Sequence, residues 1–188
     1  AGAASRFGAP KLLQMWQGKP ILHHVIETAL RARLSPLFLV VGAFADQIQQ
    51  AAGGYPVQII PNPDWASGQA SSIRAAVQAL PTHIAAAVFM LGDQPRTPVE
   101  LIDLLRQEYA ASPHPILLPE AQGRPGNPTL FDRSTFAALL ALTGDSGGRQ
   151  LFTHFPPRKI PWPDPQVFQD IDTPDDYAQL IAGSSSEI

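Results

Sequence analysis

The feature that most constrains this chain is an alternation of short, continuous apolar runs with segments whose apolar residues recur every three to four positions. Ile21, Leu22, Val25, Ile26, Ala29 and Leu30 follow helical spacing after Lys19-Pro20, and Pro20 suits a first turn. Leu37 to Gly42 then reads as a strand covered on both faces and stopped by glycine. The pattern repeats with a short helix over Asp46 to Ala52, a strand over Val57 to Ile60, a helix from about Ser71 to Leu80 and a strand over Ala86 to Leu91. A helix opening at Thr97 or Pro98 and a strand at Ile116 to Leu118 complete it. Strands and helices in this order form βαβ units, so the expected fold is a three-layer α/β domain with a mostly parallel sheet. After Pro119 the pattern loosens. Gly123 to Pro128 reads as a turn-rich loop followed by Thr129 to Phe131, Ser134 to Leu142 and Arg149 to Phe155 as helices, and Pro156 to Pro165 as irregular. Val167 to Ile171 reads as a strand, and Thr173 to Asp176 as the cap of a last short helix. The single domain is expected over residues 1–182, with 183–188 as a disordered tail.

Composition removes several classes of function. With 188 residues, a net charge of -3 and no basic run, the chain fits one globular domain and is a poor partner for nucleic acid, which is bound through clustered Lys and Arg. The absence of cysteine excludes disulfides, thiolate metal sites and cysteine nucleophiles, and is compatible with a cytoplasmic location. No apolar run reaches the length of a membrane span, no signal peptide is legible, and no membrane partner is expected.

A sheet of this kind takes ligands beyond the carboxyl ends of its strands. Three loops with suitable chemistry fall there: Gly2 to Lys11, Asn62 to Ser72 and Gly92 to Pro95. The first carries small residues and two cations, Arg6 and Lys11, in which exposed main-chain N–H groups and positive charge suit phosphate oxygens. Its spacing is neither the P-loop nor the dinucleotide fingerprint. Asp93 follows the strand ending Val88-Phe89-Met90-Leu91, where a carboxylate can hold a hard cation shared with substrate phosphates. Asp172 is the natural second carboxylate, and Asp170 would share a strand face with it; pattern alone does not choose between them. Gly144-Asp145-Ser146-Gly147-Gly148 matches strings found around serine nucleophiles, but helical patterns flank it and His154 lies only eight residues on, so a serine hydrolase is disfavoured. The five histidines show no metal-binding spacing; His23 and His24 are expected on the surface or satisfied in the core. Trp65, in a loop, could line a nucleotide site.

Ala1-Gly2-x-x-x-Arg6-Phe7-Gly8-x-Pro10-Lys11 resembles the signature L-A-A-G-x-S-x-R-M-G-x-x-K of the MobA-like nucleotidyltransferases, close to the molybdenum cofactor cytidylyltransferases. Leu91 to Pro95 is similar to their L-G-D-Q-P, Asp170 to Tyr177 to their D-I-D-T-P-E-D-Y, and Asn62 to Arg74 to their N-P-x-W-x-x-G-x-x-S-S-L-R. Gly126 to Phe131 resembles G-H-P-V-L-F, and Gly144 to Arg149 resembles G-D-x-G-A-R. The departures are Ala4 for a frequent Ser, Phe7 for Met, and Asn127 for a frequent His. The resemblance implies a Rossmann-like nucleotidyltransferase fold whose first strand stands ahead of Ala1. It implies Mg²⁺ on Asp93 and Asp172, and Arg6 and Lys11 on the triphosphate, with Arg6, Lys11 and Asp93 catalytic. Nucleotide would be bound by Ala1, Gly2, Ala3, Arg6, Lys11, Asn62, Gly68, Ser71, Ser72 and Asp93. The implied reaction joins CMP from CTP to the terminal phosphate of molybdopterin, with a molybdoenzyme as a possible client. A guanylyltransferase, a transferase with another phosphorylated acceptor, and a non-catalytic cofactor-delivery protein are the alternatives.

Overall fold

The computed structural model describes residues 10–184. A two-residue hairpin comes first: β1 (Met15–Trp16) and β2 (Lys19–Pro20) pair antiparallel. Gln17 at φ 46 and Gly18 at φ 82 join them, both in the left-handed region that tight hairpin turns require. Then follow α1 (Ile21–Arg31), β3 (Phe38–Val41), α2 (Ala45–Ala52), β4 (Gln58–Pro61), α3 (Gln69–Ala79), β5 (Ala86–Phe89), α4 (Val99–Ala111) and β6 (Ile116–Ala121). Each helix and strand foreseen over this stretch is present, with the stated ends moved by at most three residues. The chain continues through β7 (Arg124–Pro125), β8 (Thr129–Asp132), α5 (Phe136–Leu140), β9 (Arg158–Pro161) and α6 (Pro174–Ser184).

β3 and β4 pair in parallel around α2. In the larger sheet β8 lies between β5 and β6, antiparallel to both, while β9 adds to β6 in parallel. β5, β6 and β9 therefore share one direction, and β7 and β8 are reversed. The reversal follows from chain length: the link from β6 to β8 is too short for a crossover, so the strand returns antiparallel.

Four later readings change. The irregular stretch Pro156 to Pro165 contains β9, whose only buried residue is Ile160; one apolar position among charges and prolines carries no periodic signal. Pairing with β6 and the Lys159–Glu120 ion pair hold it. The strand expected over Val167 to Ile171 is absent. Asp164 Oδ1 instead accepts from Gln166 N at 2.9 Å to start a 3-10 turn, Pro165–Phe168, and Ile171 N is spent on the Asp93 carbonyl at 3.1 Å. The two helices after β8 are a five-residue α5 behind a 3-10 turn, and a 3-10 segment over Gly148–Thr153. Finally, α6 runs to Ser184, two residues into the expected tail; residues 185–188, like 1–9 and the strand implied ahead of them, lie outside the described residues.

The sheet buries β6 between α4 and its neighbours: Leu105, Leu117, Leu130 and Ile160 form one cluster, with Leu105 and Leu117 fully buried. Arg158 Nη2 donates to the Glu108 and Ser112 carbonyls, both at 2.7 Å, satisfying the last turn of α4 where a cation also complements the helix dipole. A second cluster, Leu22, Ile26, Val41, Ile48 and Ala52, packs α1 and α2 against β3. Among the described residues, no helix is long and apolar enough to cross a membrane. Leu117→Ala opens a cavity at the centre of β6 and should cost about 2–5 kcal/mol. Urea unfolding should show a lower midpoint with the same slope.

Candidate active site

Lys11 opens a 3-10 turn, Lys11–Leu13, anchored by Leu13 N donating to the Pro10 carbonyl at 2.9 Å. The turn rests on Gly92, where an added Cβ would stand 3.3 Å from Leu12 Cδ1. The backbone of Lys11 is thus fixed beside the turn that follows β5, Leu91 to Gln94, closed by Gln94 N on the Leu91 carbonyl at 3.3 Å. From there the Lys11 ammonium donates to Asp93 Oδ2 at 2.6 Å and to Asp172 Oδ1 at 2.8 Å. Two of the expected metal ligands and one expected phosphate contact therefore meet at one point. Burial pulls the Lys11 pKa down, but Asp93 and Asp172 outweigh it and hold it above the ordinary lysine value of 10.5.

Asp172 is brought there by backbone bonds. The Ile171 N bond to the Asp93 carbonyl ties the segment to the β5 turn. Asp176 Oδ2 then accepts from Asp172 N at 3.0 Å, Thr173 N at 2.8 Å and Thr173 Oγ1 at 2.8 Å, while Asp176 N donates to Thr173 Oγ1 at 3.2 Å. This reciprocal cap starts α6 and fixes the Asp172 backbone. Asp170 does not share a strand face with Asp172, because no strand forms. Its Oδ1 accepts from Gln94 Nε2 at 2.8 Å, and the same nitrogen donates to the Phe168 carbonyl at 3.0 Å. Burial, then repulsion from Asp93, raises the Asp170 pKa. The geometry thus separates the two acids: Asp172 faces Lys11, and Asp170 braces the turn through Gln94.

The Asn62 to Ser72 group forms a separate network. Asn62, 4% exposed, donates from Nδ2 to Ser71 Oγ at 2.9 Å and Ser72 Oγ at 3.0 Å, and its Oδ1 accepts from Asp64 N at 3.1 Å. Gly68 sits at φ +108 with its Cβ position 2.4 Å from the Gly144 carbonyl oxygen, so only glycine fits. The reason is the stretch that resembled a serine nucleophile. Gly144 O accepts from Ala70 N and Asp145 Oδ1 from Gln69 N, both at 3.2 Å, so this loop caps α3. Ser146 Oγ takes a bond from Gln150 Nε2 at 2.6 Å. His23 and His24 are satisfied by the Ala51 and Trp16 carbonyls at 2.9 and 2.7 Å.

Thr129 pairs with Phe89 at the end of β5, so the Gly123 to Pro128 loop overhangs the same end of the sheet as Asp93. Asn127 Oδ1 accepts from Thr129 Oγ1 at 3.1 Å, and Gly126 lies against the Phe168 ring, 2.3 Å from its Cδ1 at the Cβ position. Ala1, Gly2, Ala3 and Arg6 lie outside the described residues. Sequence reasoning missed Gln94 and Thr173 as braces; both stand inside motifs already singled out, and that adjacency was the available signal.

The donor set suits a hard dication. Two carboxylates already converge on a cation, Asp172 with 55% of its side chain exposed, which leaves room for water and phosphate oxygens. Among the described residues no group of three or more His, Cys, Asp or Glu side chains is arranged as a metal site, so the remaining ligands would come from solvent and substrate.

The model of the MobA-like NTP transferase domain matches residues 1–159. The chain belongs to this family. As a MobA-like nucleotidyltransferase it is 29% identical to the molybdenum cofactor cytidylyltransferase of Escherichia coli, over 94% of this chain and 90% of that one. It is also 29% identical to the nicotine blue oxidoreductase of Paenarthrobacter nicotinovorans, over 96% and 93% of the two chains. Among solved structures, Rv0371c of Mycobacterium tuberculosis superposes with a TM-score of 0.84 at 27% identity, covering 97% of this chain and 93% of that one. A complex of Rv0371c with manganese gives 0.79 at 26%, covering 92% and 91%.

Two predictions test the supports of the site. The Thr173 hydroxyl does most to hold the Asp176 carboxyl below its ordinary range; slight burial opposes it, and the backbone N–H groups of Thr173 and Asp172 add to it. A depressed folded pKa stabilises fully above the unfolded value near 3.9 and is lost as pH falls through the folded value. Asp176→Ala should therefore lower the thermal midpoint at about pH 7, with the gap closing towards about pH 2; an equal gap at both would contradict the cap. Gly68→Ala combines a disfavoured backbone angle with a backbone collision and should cost at least about 1–3 kcal/mol. Denaturant titration measures it, and a loss within experimental scatter would show that the 144–148 loop is not held in this contact.

Proposed function

We propose that this nucleotidyltransferase transfers CMP from CTP to the terminal phosphate of molybdopterin, releasing pyrophosphate, with Mg²⁺ on Asp93 and Asp172. The observation that carries the reading is the convergence of those carboxylates with Lys11 at the end of β5, 2.6 and 2.8 Å from the ammonium. The choice of CTP and molybdopterin rests on the Escherichia coli relative and on Ala1-Gly2, which resembles the cytidylyl form of the family signature. Manganese in the Rv0371c complex supports a divalent ion in the same fold.

An oxygen of the acceptor phosphate bonds to the α-phosphorus of CTP, the bond from that phosphorus to the oxygen bridging the β-phosphate breaks, and pyrophosphate leaves with the electron pair. A phosphate monoester with a second pKa near 6 is already largely dianionic at neutral pH, so no strong general base is needed. The chain's work is positioning and neutralisation of charge. Lys11 and Arg6 supply positive charge to the triphosphate. Gln94 and the Asp176 cap keep the two carboxylate-bearing segments in place. Ala1, Gly2, Ala3, Asn62, Gly68, Ser71 and Ser72 shape the nucleotide side, Asn62 by holding both hydroxyls. When bound, the dication neutralises charge that develops on the phosphates during transfer.

The nicotine blue oxidoreductase is as similar to this chain as the cytidylyltransferase, and the product formed separates the two activities. Incubated with Mg²⁺, molybdopterin and equimolar CTP and GTP, the protein should release pyrophosphate and yield mainly the cytosine dinucleotide. A single packing difference beside the base is worth roughly 10–200-fold in such a preference. Asp93→Ala should remove nearly all turnover while retaining the fold by circular dichroism. Near-normal turnover in the folded variant would overturn the assignment; equal or greater guanine product would overturn the CTP preference alone.

A further inference from the structure

Folding alone does not account for Phe44. It precedes α2 at φ 58 and ψ 31, in the left-handed region that Gly, Asn and Asp tolerate and that costs an aromatic residue strain. It is also the cap residue of this helix, where Ser, Thr, Asp or Asn accepts a bond from the first N–H groups and a phenyl ring cannot. Burial does not compensate. The ring stays 41% exposed, while Ala45 beside it packs against the cluster of Leu22, Ile26, Val41, Ile48 and Ala52. A strained backbone, a missing cap and an uncovered aromatic ring meet in one residue, and the fold gains nothing from any of them.

Its place in the fold supplies a reason. Phe44 follows Val41, the last residue of β3, at the carboxyl end where such a sheet presents its ligands. Val41 is in register with Pro61 of β4, and its carbonyl accepts from Asn62 N at 2.7 Å, so the Asn62 network begins alongside. Towards the other side, Leu12 packs on the same cluster as Ala45 and also meets the Cβ position of Gly92 at 3.3 Å. The Lys11 turn therefore connects the corner that holds Phe44 with the Asp93 turn.

Resting on the nucleotide-site reading above, we propose that the Phe44 ring is the surface on which the nucleobase stacks. A base offers a flat π face, and covering it with the ring removes from water the aromatic area that the fold leaves exposed. The strained backbone holds the ring at the crevice before the ligand arrives, so less order is lost on binding. Stacking reads no pattern of donors and acceptors. Phe44 therefore supplies affinity common to all bases, and the choice of cytosine falls to groups that meet the edge of the base.

The test is titration calorimetry of CTP, GTP and inorganic tripolyphosphate, each with Mg²⁺, against wild type and three variants. Phe44→Asn and Phe44→Gly accept the left-handed backbone and remove the ring, Phe44→Tyr keeps the ring, and circular dichroism checks each fold. Either folded ring-free variant should bind CTP and GTP about tenfold or more weakly than wild type. Both should bind tripolyphosphate, which has no base, as wild type does, and Phe44→Tyr should restore nucleotide binding. Ring-free variants that bind both nucleotides like wild type overturn the stacking role. So does an equal loss of tripolyphosphate affinity, or a folded Phe44→Tyr that binds nucleotide no better than Phe44→Asn. Because stacking ignores the identity of the base, the two levels of the account separate. A wild type that prefers GTP, with that binding weakened in the ring-free variants, sinks the choice of CTP and upholds the role of Phe44. A wild type that binds neither nucleotide sinks the nucleotide site and the stacking role together.

Discussion

The two ion pairs of Lys11 are the interaction on which the site depends. They join a residue near the start of the chain to acids 82 and 161 positions later, and so gather three segments at the end of β5. Each segment is also held independently: the Lys11 turn by Gly92, the Asp93 turn by its own backbone bond, and Asp172 by the Asp93 carbonyl and the Asp176 cap. Polar side chains alone would not hold such a group of like charges together. The backbone bonds supply the positioning, and the ammonium supplies the neutralisation that lets the carboxylates sit so close.

A second constraint is the close approach of loops to helices. Gly68 meets Gly144, Gly147 meets the Gln69 side chain, and Gly148 meets the Phe131 ring, at Cβ distances of 2.4, 2.6 and 2.6 Å. The first two contacts seat the 144–148 loop on the start of α3, where Gly144 O and Asp145 Oδ1 take two of its first N–H groups, and the third packs the loop on β8. Beside it the Asn62 amide bridges the Ser71 and Ser72 hydroxyls. Arg74 extends the same tie by donating to the Leu142 carbonyl at 2.6 Å.

Much of the first two thirds was legible because its elements are local. Ile21 to Leu30 and Leu37 to Gly42 announce helix and strand through spacing alone, and the L-G-D-Q-P turn after β5 placed Asp93 at the ligand end of the sheet. What was not legible depends on partners far along the chain. β9 carries one buried apolar residue and exists because β6 pairs with it. The Val167 to Ile171 stretch reads as a strand, but it enters a 3-10 turn and its amides go to that turn and to Asp93. No spacing rule could separate Asp170 from Asp172, since the choice is made by Gln94 on one side and Lys11 on the other. The G-D-S-G-G string lacks a hydrolase context in the sequence, but its part as the cap of α3 depends on which helix it meets.

The proposed function makes Asp93 and Asp172 a metal seat and puts Lys11 on the triphosphate. A crystal structure of the protein with Mn²⁺ and a non-hydrolysable CTP analogue, phased to locate anomalous scattering, tests it most directly. A manganese peak is expected at about 2.0–2.4 Å from an oxygen of each of Asp93 and Asp172, with the Lys11 ammonium on a phosphate oxygen. Manganese elsewhere, with Lys11 still bridging the two carboxylates beneath a bound nucleotide, would contradict it.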